Sequence, residues 1–131
     1  MLEIEENTPS KLNSPLCVLL REKLGSSAHE ALNSIYAKGK TYIASFAPTV
    51  FEAHGQGDLT ATAIIDSNAS AVASRISTAL SLYGSLDEIV CAGGLFNSPL
   101  FYDLLAQKTN IPLSLLTDPP VLGACRRAMK I

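Results

Sequence analysis

The stretch Glu88-Ile89-Val90-Cys91-Ala92-Gly93-Gly94, followed by Ser98-Pro99 and then Leu100, Phe101, Leu104 and Leu105, decides the fold class. A short unbroken apolar run is the pattern of a strand covered on both faces; paired glycines give it a tight exit, and serine followed by proline opens a helix. Strand, glycine turn and helix are expected in that order. A second apolar run, Leu113-Ser114-Leu115-Leu116, follows Ile111-Pro112 and ends at Asp118-Pro119-Pro120, after which Val121 to Met129 has the composition of a final helix. The C-terminal half is therefore β-α-β-α, with a short parallel sheet.

Upstream the periodicity is helical. Leu59 to Tyr83 places Ile65, Ala69, Val72, Ile76, Leu80 and Tyr83 on one stripe, with Asp58 as cap and Gly84 as stop. At ~1.5 Å per residue this helix approaches 40 Å. Ser14-Pro15 opens a short helix that runs to Leu24 before Gly25, and Ser27 with Glu30 has capping-box spacing ahead of a helix that ends at Gly39. Ile43, Phe46, Ala47, Val50, Phe51 and His54 keep helical spacing around Pro48, so two helical pieces are expected to meet there. Residues 1–13 are acidic and then polar, with Asn7, Pro9 and Ser10 as breakers, and form a lead-in to a single domain covering 1–131. Two parallel strands alone leave unpaired edges. Three sources of further strands fit: Leu2 to Glu6, another chain, or sequence outside these 131 residues.

Composition narrows the function. The chain has 10 Lys+Arg against 12 Asp+Glu, a formal charge of −2, 47% hydrophobic residues and no Trp. Without a basic run there is no footprint for neutralising phosphates along a nucleic acid, so no nucleic-acid partner is expected. No apolar run reaches the roughly 18 residues that span a bilayer. The acidic opening Met1-Leu2-Glu3-Ile4-Glu5-Glu6 is unlike a signal peptide, so the expectation is a cytoplasmic protein with no membrane partner. Cys17, Cys91 and Cys125 are widely spaced in apolar settings, which is the pattern of reduced buried thiols.

Residues able to carry chemistry are few. Gly93 and Gly94 stand where a buried strand hands over to a helix, the place where open α/β sheets bind ligands, although a tight β-α turn needs glycine whether or not anything binds. Asn97 or Ser98 caps the next helix, with Pro99 in its first turn. Gly123 and Ala124 lie in the first turn after Pro119-Pro120, where either close helix packing or a ligand accounts for small residues. His29 and His54 have no second ligand at metal spacing, and no GxSxG, Walker, GxGxxG or HExxH motif occurs. Glu52, Asp66, Asp87, Asp103 and Asp118 form no pair forced together by spacing. No catalytic residue and no metal ligand is assigned.

Four segments occur together in order: Ile43-Ala44-Ser45-Phe46-Ala47-Pro48 through Phe51-Glu52-Ala53, Gly57-Asp58, Cys91-Ala92-Gly93-Gly94-Leu95, and Pro119-Pro120-Val121-Leu122-Gly123-Ala124. With the long helix between the second and third, the chain from about residue 14 onward resembles the C-terminal part of the BadF/BadG/BcrA/BcrD-type ATPases and N-acetylglucosamine kinase-like proteins. That resemblance implies a partial RNase H-like lobe of the actin, sugar kinase and Hsp70 superfamily, in which ATP sits between two lobes. It also implies that Gly93 and Gly94 match the adenosine motif, that Leu95 and Asn97 line its edge, and that Gly123 lies near the nucleotide pocket. ATP would be the cofactor, with Mg held mainly by a partner N-terminal lobe that carries the glycine-rich phosphate loops and the catalytic base. Those groups have no counterpart in this sequence, so the chain alone is expected to be inactive. The cysteines give no pair matching the iron–sulfur branch of the family, and the Ala-Pro stretch is closer to the kinase-like branch. A homodimer fits as a partner, and the competing expectation is a non-enzymatic helical interaction or dimerisation module built from the same lobe.

Overall fold

The computed structural model describes residues 1–130. They form α1 (Leu2–Asn7), α2 (Pro15–Leu24), α3 (Ala28–Ala44), α4 (Ala47–Gly55), α5 (Leu59–Tyr83), β1 (Ile89–Cys91), α6 (Pro99–Lys108), β2 (Leu113–Leu115) and α7 (Pro120–Met129), with 3-10 turns at Pro9–Lys11 and Gly94–Asn97. The fold is helix-rich, with one two-stranded parallel sheet in its C-terminal half, as the apolar runs indicate. The chain forms two compact units, Met1–Asn68 and the residues from Ala69 on, and α5 runs from one into the other.

In the first unit, local sequence sets each helix start. The Ser14 hydroxyl accepts the Cys17 N–H at 3.4 Å, and Ser27 and Glu30 close a full capping box with both bonds at 3.2 Å. Gly39 does interrupt the α3 helix, at φ 75° and ψ −171°, but a second helical piece continues to Ala44. That backbone conformation suits glycine alone among the residue types, so the break is written into the sequence at one position. Pro48 lies in the first turn of α4, where its missing N–H costs nothing. The core joins Leu16 of α2, Ala53 of α4 and Ala61 of α5, with Leu19, Leu20 and Val50 packed around them. Small residues on α4 and α5 let the helices approach Leu16 closely.

Residues 2–7 are helical, not a strand and not a plain lead-in. Leu2 and Ile4 alternate with glutamates as in a strand, but a tertiary contact decides the outcome. The Glu5 carboxylate reaches the start of α3 and accepts the N–H groups of Ala28 (2.9 Å) and His29 (3.1 Å). A free helix N-terminus carries unpaired donors and partial positive charge, and a carboxylate satisfies both. Leu2–Glu6 thus adds no strand to the sheet.

In the second unit, Ile89, Val90 and Cys91 of β1 stand opposite Leu113, Ser114 and Leu115 of β2, in parallel. Phe101 and Leu105 of α6 and Cys91 of β1 are buried, and Phe96 meets Phe101 edge-on at 5.6 Å. Ala69 of α5 is also buried, while Tyr83, the last residue of the expected stripe, is 77% exposed. The exposed apolar residues here are numerous: Leu82, Val90, Leu95, Leu115, Leu116, Val121, Leu122 and Met129. Every described residue of α7 is exposed, including Cys125, which corrects its reading as a buried thiol; Cys17 and Cys91 are buried as expected.

Candidate functional site

The glycine pair follows β1 directly. Gly93 has φ 109° and ψ 169°, and Gly94–Asn97 winds into a 3-10 turn that delivers the chain to Ser98 and α6. A Cβ added at Gly93 would meet no atom within 4 Å, so the glycine is required by its backbone angle and not by crowding. Gly94 and Gly123 also have open space where a Cβ would stand, and neither has a positive φ. Close helix packing within the described residues therefore does not account for Gly123. Leu95 is 42% exposed and Asn97 is exposed.

Parallel pairing sets the layout. Both strands end at the same edge of the sheet, so the connection from β1 to α6 and the connection from β2 to α7 emerge side by side there. Gly93, Gly94, Leu95 and Asn97 lie on the first connection and Gly123 lies in the helix after the second. Ser98 takes the cap position of α6, but neither it nor Asn97 makes a side-chain cap bond, which leaves the α6 donors without the partner the sequence suggests. The segment from Ala92 to Ser98 carries no charged residue, and Leu116 to Pro119 carries only Asp118. The edge is backbone-rich, with Leu95 and Asn97 exposed and Asp118 as its one charge. Neither connection carries a lysine or arginine.

The Cys91 thiol, two residues before Gly93, is pushed above its ordinary value by burial and stays protonated at neutral pH. Its role is to pack. Among the described residues no three His, Cys, Asp or Glu side chains are grouped to hold a metal ion, and no helix is long and apolar enough to cross a membrane. His54 is occupied structurally: its Nδ1 lies 2.8 Å from the Thr62 hydroxyl, which itself donates to the Asp58 carbonyl at 2.9 Å. The threonine has only one proton to give, so Nδ1 is the donor to it.

Asp58 and Tyr102, like Glu5, have partners that sequence reasoning does not supply. Asp58 caps α5 as expected, through Oδ1 and the Ala61 N–H at 2.9 Å, but its Oδ2 also accepts the Leu16 N–H at 2.9 Å, at the start of α2. The Tyr102 hydroxyl donates to the Leu113 carbonyl at 2.7 Å. The capping position of Asp58 is a local signal, whereas its second bond and the reach of Tyr102 exist only once separate elements are assembled. Comparison with known protein families, with curated proteins and with solved structures gives no match for this chain.

Proposed function

We propose that this chain is the C-terminal nucleotide-binding lobe of an ATP-dependent sugar kinase of the N-acetylglucosamine kinase type, or of a BadF-type ATPase, and that it is inactive alone. The observation that carries the reading is the Gly93-Gly94 turn: it leaves a parallel strand at the sheet edge where α/β proteins hold ligands, and its backbone is open to approach. In this reading the adenosine end of ATP lies against Gly93, Gly94, Leu95 and Asn97, and α7 with Gly123 flanks the pocket. A partner lobe supplies the phosphate loops, the Mg-linked carboxylate and the base that activates the sugar hydroxyl. Phosphoryl transfer depends on cradling phosphate and metal, so without that lobe there is binding and no turnover.

The test is a titration of the purified chain with Mg-ADP and, separately, with adenosine, followed by calorimetry and by the shift in melting temperature. Saturable binding by both ligands is expected. Gly93→Val should weaken it by about tenfold or more, because a branched side chain at φ 109° displaces the turn. Ser77→Ala, on the exposed surface of α5, should leave it unchanged. No binding at millimolar ligand, or equal affinity in both variants, removes the assignment.

A further inference from the structure

The sheet edge that carries the glycine turn holds one charged side chain that the fold itself does not use. Asp118 follows β2 as Gly93 follows β1, and the last residues of the two strands, Leu115 and Cys91, are partners across the register. The pairing continues one step beyond them, since the Leu116 N–H donates to the Cys91 carbonyl at 2.8 Å. Neighbouring strands lie about 4.8 Å apart, so Asp118 and the glycines share one end of the sheet. The ordinary duty of an aspartate ahead of a helix is to cap it. In α7 the N-cap is Pro119, whose carbonyl accepts the Leu122 N–H at 3.0 Å, and no side chain caps. Asp118 is exposed and makes no hydrogen bond or ion pair among the described residues. Its backbone is nonetheless held. A residue before proline is confined to extended conformations, and Pro119 (φ −55°, ψ 134°) and Pro120 fix the two positions that follow. The carboxylate thus has a defined place and both oxygens to offer.

We propose that Asp118 binds the ribose of the nucleotide, its carboxylate accepting hydrogen bonds from the 2′ and 3′ hydroxyls, an assignment that rests on the nucleotide reading above. A carboxylate only accepts, and its two oxygens match a vicinal pair of donors. Where a glycine turn after one parallel strand takes a dinucleotide, an acid about 20 residues on, at the end of the next strand, takes a ribose hydroxyl. The same negative charge repels phosphate, and no lysine or arginine on either connection offsets it. Ribose at Asp118 therefore leaves the base beside Leu95 and directs the phosphates away from this edge, toward the lobe that carries their loops.

The experiment is calorimetric titration of the purified chain with adenosine and with 2′,3′-dideoxyadenosine, for the parent, Asp118→Ala and Gly93→Val. Both nucleosides are uncharged, so removing the carboxylate acts through hydrogen bonding and not through the field at a phosphate. The parent should bind adenosine about tenfold or more tightly than the dideoxy form. Asp118→Ala should bind the two alike, at the parent's affinity for the dideoxy form, and should melt at the parent's temperature without ligand, because the side chain makes no bond in the fold. A preference for adenosine that persists in Asp118→Ala overturns the proposal, as does a parent that binds both nucleosides equally. In either case weaker binding by Gly93→Val leaves the nucleotide reading standing. A parent that binds neither nucleoside at millimolar concentration overturns both.

Discussion

Asp58 is 4% exposed and its carboxylate serves two helices, through the Leu16 N–H and the Ala61 N–H. Burial by itself would raise its carboxyl, but the N–H bonds from Ala61 and Leu16, the Ser14 hydroxyl and the Thr60 N–H outweigh burial and hold it below the ordinary value. Asp58→Ala strips two buried donors of their acceptor and should lower the unfolding free energy by about 2–3 kcal/mol in urea titration. Asp58→Asn keeps one carbonyl acceptor and should cost less. Glu5 is a smaller case of the same kind: burial raises its carboxyl, and the N–H groups of Ala28 and His29, with Arg21 at 3.9 Å, bring it below the ordinary value. The Arg21 pair is long and half in solvent, so the backbone donors dominate.

At the scale of elements, glycines separate two physical roles. Gly39 sits at φ 75° with open space around it, so Gly39→Ala should destabilise by about 1–2 kcal/mol through backbone conformation alone. Gly123 lies in regular helix with open space as well, and Gly123→Ala should raise the stability of α7 by about 1 kcal/mol, read as increased helicity. Much of this level is legible in the sequence. Leu59–Tyr83, the Ser14 and Ser27 caps, Pro48 at a helix start and both strands follow from spacing and breakers, because those signals are local. Residues 2–7 are not legible, since their helix depends on Glu5 meeting α3 from 23 positions away. The glycine turn of the candidate site is visible in the sequence, while the bond from Tyr102 to the Leu113 carbonyl is not, because it needs the crossover to be built first.

At the scale of the whole molecule, the carboxylates held below their ordinary values, Glu5 and Asp58, both fall in the unit from Met1 to Asn68. A lowered folded-state value stabilises above the unfolded carboxyl range, and that contribution is lost as pH falls through the folded value. The first unit should therefore lose amide-exchange protection below about pH 4, whereas Asp58→Asn should flatten that dependence. Hydrogen exchange with mass spectrometry at several pH values checks it, unit by unit. The same aspartate has a consequence in time. Its bond to Leu16 closes a span of 42 residues, so the end of the longest helix that begins at Leu59 is completed only after α2 has arrived. Closing so long a loop is an entropic search rather than a local winding. The start of α5 should accordingly be among the last segments to become protected during refolding, however early its middle turns form.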